Sequence, residues 1–210
     1  MVPFELGRPF GAPNEPELQT RVLSSLLNML AQTDGPVLED FPEPAADAEG
    51  WSCPVNLAPP PKDLSYSEKL IEALNQEMAL LQPWYEEAVK NAKGRTMVGI
   101  SNMEPNEIIQ FIVNYIHDPQ MSNPNREQPM HTMLKLVTDD IKYFYYQAAL
   151  VRPGQISDVQ IGNWFWGETL LGKTFLKLRE VLRQQNDPKL QPLANRRLVP
   201  HHQSHRRADD

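Results

Sequence analysis

The apolar positions of the chain fall into blocks of helical period separated by clusters of Pro, Gly, Asn and Asp. Residues 2 to 6 alternate in polarity and predict a short N-terminal strand, after which Gly7, Pro9, Gly11 and Pro13 mark a loop. Asn14, Pro16 and Glu17 have the spacing of a capping box. They open a first helix with Leu18, Val22, Leu26 and Met29 on one face, ending near Asp34-Gly35-Pro36. Residues 36 to 63 are rich in proline and have no helical period. Their apolar islands Val37-Leu38, Trp51 and Val55-Leu57 read as an extended segment wrapped on the helical body.

A second capping box, Ser65 with Glu68, starts a long helix with the face Leu70, Leu74, Met78, Leu81, Tyr85 and Ala88, kinked at Pro83 and stopped by Lys93-Gly94. Thr96 to Ile100 is β-prone and reads as an edge strand. Pro105 and Glu107 open a helix striped by Ile108, Phe111, Ile112, Tyr115 and Ile116, and a further helix spans about Pro129 to Val151. Ser157 with Gln160 caps a last helix carrying Ile161, Trp164, Phe165, Leu171, Phe175, Leu178 and Leu182, ended by Asn186-Asp187-Pro188. The expected fold is mainly α: four to five helices in an antiparallel bundle, with a short N-terminal strand and a Pro-rich wrapping segment. Its expected parts are residues 1–35, the wrapper 36–63, the bundle 64–186 and a flexible polar tail 187–210.

Composition narrows this picture. With 210 residues, 40% apolar and 20 prolines, the chain suits one core with extended excursions. Cys53 is the single cysteine, so no internal disulfide forms and a reducing compartment is expected. No signal-peptide pattern and no run of the roughly 18 apolar residues needed for a membrane span occurs, so a cytoplasmic protein without membrane contact is expected. The net charge of −7 arises in the first quarter, where nine acids face only Arg8 and Arg21. The basic run Arg196, Arg197, His201, His202, His205, Arg206 and Arg207 could touch phosphates. It lacks interleaved aromatics, however, and reads as a solvated tail, so no nucleic-acid partner is expected.

Candidate chemistry lies where polar residues break apolar stripes. Glu168 falls on the last stripe, Asp140 stands between Val137 and Phe144, and Glu77 between Leu74 and Leu81. A buried carboxylate needs a partner, which leaves two readings. In one, the three acids form a site in the bundle that holds a divalent metal or serves as acid and base, with Glu168 and Asp140 catalytic and Glu77 binding. In the other, they belong to a network fixing helix register through Lys135, Lys142 or Tyr85. No paired Glu-x-x-His motif accompanies them, so no metal ligand set is defined. His131 lies near a helix start, where it faces the mouth of the bundle or the surface. Tyr143, Trp164 and Trp166 wall a pocket or pack in the core and rim. Cys53, on the wrapper in Trp51-Ser52-Cys53-Pro54, is a candidate nucleophile with no local activating base.

The stretch Glu5-Leu6-Gly7-Arg8-Pro9-Phe10-Gly11-Ala12-Pro13-Asn14-Glu15, continuing through Gln19 and Val22-Leu23 to Gly35-Pro36, resembles a segment of the glycine/sarcosine/betaine reductase selenoprotein B family. The resemblance implies a reductase-related protein, a divergent or accessory subunit working beside a larger reductase chain, with Arg8 in the contacting loop. The paired redox motif is missing, so no catalytic residue carries over. The alternatives are a stand-alone bundle enzyme or small-ligand binder, and a non-catalytic interaction protein.

Overall fold

The structure, a computed structural model, describes residues 2, 9–11, 15–32, 35, 38–43, 65–124, 127–151 and 157–208. Among these the chain is mainly helical: α1 (Pro16–Met29), α2 (Tyr66–Asn91), α3 (Pro105–His117), α4 (Met130–Leu150), α5 (Asp158–Glu168) and α6 (Leu170–Gln184). A π-helical turn (Leu193–Arg197) and a 3-10 turn (His201–Gln203) follow. The capping signals at Ser65 and Ser157 are made as expected. Ser65 Oγ accepts from the Glu68 N–H at 3.3 Å while Glu68 accepts from the Ser65 N–H at 2.8 Å, and Ser157 and Gln160 exchange the same pair of bonds.

The chain divides into two compact units. The first takes residues up to Ser52 together with Gly154–Gly162. In it α1 buries Leu18 and Val22, while Leu26, expected on the same face, is exposed. Arg21 pairs with Glu43, Nη2 to Oε2 at 2.6 Å. The second takes Cys53–Pro153 and Asn163–Asp210, so that α5 starts in one unit and ends in the other.

The second unit is built around α4, against which both α2 and α3 pack. Leu134, Val137, Ile141, Phe144, Tyr145 and Ala148 are at most 1% exposed, and α4 is buried around most of its circumference, as a helix apolar on several faces must be. This explains how Phe144, Tyr145 and Tyr146 are all buried although no single helical face can hold them. Phe165 is the centre of an aromatic cluster, meeting Tyr145, Tyr146, Trp166 and Phe175 edge-on at centroid distances of 4.9 to 5.9 Å.

Three expectations change. No strand occurs among the described residues. The one expected over 2–6 lies outside them except for Val2, and Thr96–Ile100 forms turns. There Lys93, Gly94, Gly99 and Asn102 take positive φ of 55°, 81°, 105° and 55°, and the N–H groups of Gly99 and Ser101 bind a side chain instead of a neighbouring strand. The helix expected from 157 to 186 is two helices, broken at Thr169. The segment 187–208 is packed, not loose: Leu190, Leu193, Ala194, Leu198, Val199 and Gln203 are buried. Much of the wrapper, including Cys53, lies outside the described residues, as do Arg8 and Asn14, the residue expected to cap α1, whose N-cap is Glu15 with no side-chain cap bond.

Candidate functional site

The break at Thr169 organises the interior. Thr169 is extended (φ −80°, ψ 147°), its Oγ1 donates to the Phe165 carbonyl at 2.7 Å and it accepts from the Gly172 N–H at 2.9 Å. It thus ends α5 and caps α6. Gly172 is required by this approach, since a Cβ there would lie 1.9 Å from the Phe165 carbonyl oxygen.

Glu77, 1% exposed on α2, points its carboxylate at the N-terminus of α6. Its Oε2 accepts from the Leu170 N–H at 2.7 Å, and its Oε1 accepts from the Leu171 N–H at 3.0 Å and the Tyr145 hydroxyl at 2.8 Å. One acid therefore ties α2, α4 and α6 together, and the helix end supplies the positive pole that a buried carboxylate needs. Burial pushes the Glu77 carboxyl above the usual carboxylate range, opposed in turn by the two N–H groups and the phenol. Burial and the adjoining Glu77 push the Tyr145 phenol far up, keeping it a neutral donor.

Asp140, fully buried on α4, has a separate set of partners. Its Oδ1 accepts from the Gly99 N–H at 2.6 Å, and its Oδ2 from the Ser101 N–H at 2.9 Å and the Ser101 hydroxyl at 2.6 Å. It pins the turn between α2 and α3. Glu168 is exposed at the end of α5. Its expected place on the apolar stripe depended on an unbroken helix, and the break at Thr169 turns it outward. The three carboxylates are not brought to one site, and among the described residues no group of three His, Cys, Asp or Glu is placed to hold a metal ion. Glu77 and Asp140 are held by N–H and O–H donors, the surroundings of a structural anion and not of a cation ligand.

The expected lysine partners serve another acid. Asp139 pairs with Lys135 at 3.0 Å and with Lys142 at 3.3 Å. Tyr85 shares a hydrogen bond with Thr96 at 3.0 Å. Trp164 and Trp166 are each 1% exposed and belong to the core, not to a pocket wall. Tyr143 is half-buried, its phenol pushed up by burial and then by Asp139. His131 is half-buried and lines a cleft beside the π-helical turn. A larger cleft of about 480 Å³ lies over Phe111 and Met133, edged by Met103, Met121, Gln110 and Asn114.

Sequence reasoning missed Arg179. It is 1% exposed, and its guanidinium donates to the Ser204 carbonyl at 3.3 Å and to the Arg206 carbonyl, clipping the C-terminal segment onto α6. Burial first, then Arg183 and Arg207, lowers its pKa. The signal was present, because Arg179 lies four residues after Phe175 and three before Leu182 on the buried stripe. Among the described residues no helix is long and apolar enough to cross a membrane. No family model matches the chain, and no curated protein or solved structure is similar enough to count as a relative.

Proposed function

We propose that the chain is an interaction subunit whose helix α1 docks into an apolar, basic-rimmed groove on a second protein. The reading is carried by the leucines of α1: Leu23, Leu26, Leu27 and Leu30 are 44%, 53%, 61% and 78% exposed. Their i, i+3, i+4, i+7 spacing matches the anchors of helix-in-groove recognition. Burying such a side chain contributes about 1.5–3 kcal/mol, so an unfilled leucine stripe is a strong drive to association. The first quarter is acidic, with Glu15, Glu17, Glu39 and Asp40 near α1 in sequence, which favours a groove edged by Lys and Arg. The resemblance of residues 5–36 supports a reductase subunit as that partner and an accessory role for this chain. An antiparallel order of α2, α3, α4 and α6 is the bundle arrangement that the mutual packing of these helices supports.

Photo-crosslinking in the native cell tests the reading, with the reactive group at Leu27 and a control at exposed Lys177. The expected result is one heterologous adduct specific to position 27. It should map to an apolar groove flanked by basic residues and be lost in the double variant Leu23→Glu/Leu30→Glu. A self-adduct, or no adduct specific to position 27, overturns the proposal.

A further inference from the structure

The basic C-terminal run, read from sequence as a solvated tail, is folded back so that Arg197 lines one cleft with the first turns of α4. Together they enclose a cleft of about 310 Å³. Its wall takes His131, Thr132 and Lys135 from α4, Lys189 from the turn after α6, and Leu193 and Arg197 from the π-helical turn. No carboxylate belongs to the wall. Asp139, one turn beyond Lys135, pairs with Lys135 at 3.0 Å and with Lys142 at 3.3 Å, so one acid is shared by two lysines. Lys189 and Arg197 have no acidic partner among the described residues. Cations brought together from three elements around one cavity repel one another, and an anion between them relieves that repulsion.

We infer that this cleft binds a small dianionic oxyanion, a phosphate monoester or a dicarboxylate. The donors match the chemistry. Arg197 offers a planar fork suited to two oxygens, Lys189 and Lys135 offer point charges, and the Thr132 hydroxyl and an imidazole N–H of His131 supply further donors. Leu193 and Pro192 give an apolar side for the carbon part of the ligand, and the volume limits that part to a few carbons. The site shares no residue with the α1 stripe and does not depend on the docking reading.

Titration calorimetry on the full chain with inorganic phosphate, glycerol 3-phosphate and succinate, at matched ionic strength, tests the inference, with glycerol as the neutral control. Saturable binding of at least one dianion and none of glycerol is expected. In Lys189→Gln/Arg197→Gln that affinity should fall at least about tenfold, because two charge-assisted contacts are removed. Both residues are exposed, so the variant should keep its unfolding midpoint, and Lys177→Gln should bind as the parent does. The phosphate and succinate arms distinguish the two sources of the oxyanion. No saturable heat with any dianion, or equal affinity in the double variant and the parent, overturns the inference.

Discussion

Two acids stand at the joint between α5 and α6 and have opposite fates. Glu168 is the last residue of α5 and is exposed, whereas Glu77 reaches the same joint from α2 and is 1% exposed, bonded to two N–H groups of α6 and the Tyr145 hydroxyl. Both occupy positions that apolar periodicity assigns to the interior. The difference shows that a stripe predicts burial only while the helix carrying it is continuous, and that a helix end inside a core creates its own demand for an anion.

The change that breaks this joint most completely is Gly172→Ala. With a Cβ 1.9 Å from the Phe165 carbonyl oxygen, the close approach of α5 and α6 is lost. We expect more than about 3 kcal/mol of destabilisation, or failure to fold, measured by urea unfolding.

Next is Glu77→Ala, which leaves two buried N–H groups and a phenol unpaired and should cost about 3 kcal/mol. Glu77→Gln retains an acceptor and should cost less. Titration sharpens the comparison of these two. Because burial raises the Glu77 pKa above 4.5, the folded chain holds this proton more tightly than the unfolded chain. The stabilisation linked to that proton is complete below the unfolded value and is lost as pH rises through the folded value. The stability gap between parent and Glu77→Gln should therefore narrow as pH is raised from about 4 to about 8. A gap that widens would contradict the assigned direction.

Asp140→Asn carries the comparison to an acid satisfied by a turn. The amide replaces one acceptor with a donor facing N–H or O–H groups, at about 2 kcal/mol. Faster amide exchange at Gly99 and Ser101, with α6 protection unchanged, would separate its role from that of Glu77. The smallest effect belongs to Glu168→Gln, expected within about 0.5 kcal/mol of the parent as for other exposed substitutions. A large loss there would mean that the joint is described wrongly.

Much of the helical frame was legible in local chemistry. Ser65-Glu68 and Ser157-Gln160 form their capping boxes, and Leu74, Met78 and Leu81 of the α2 stripe and Ile108, Phe111, Ile112 and Tyr115 of the α3 stripe are buried, while Leu70, Tyr85, Ala88 and Ile116 are half-buried. Glu77 and Asp140 were recognisable as buried acids because each interrupts an apolar face. Their partners were not recognisable, since they are backbone N–H groups 93 residues downstream of Glu77 and 39 residues upstream of Asp140. Lys135 and Lys142, the expected counter-charges, serve Asp139 instead.

The sequence by itself determined where α2, α3, α4 and α5 start and which faces are apolar, because capping and periodicity involve residues within a few positions of one another. The tertiary structure alone decided that Thr169 divides a helix, that Glu77 fills the resulting end, that the basic tail returns to α4 and that the leucines of α1 stay exposed. Each of these depends on which groups lose water together, and that is set by contacts between segments far apart in the chain.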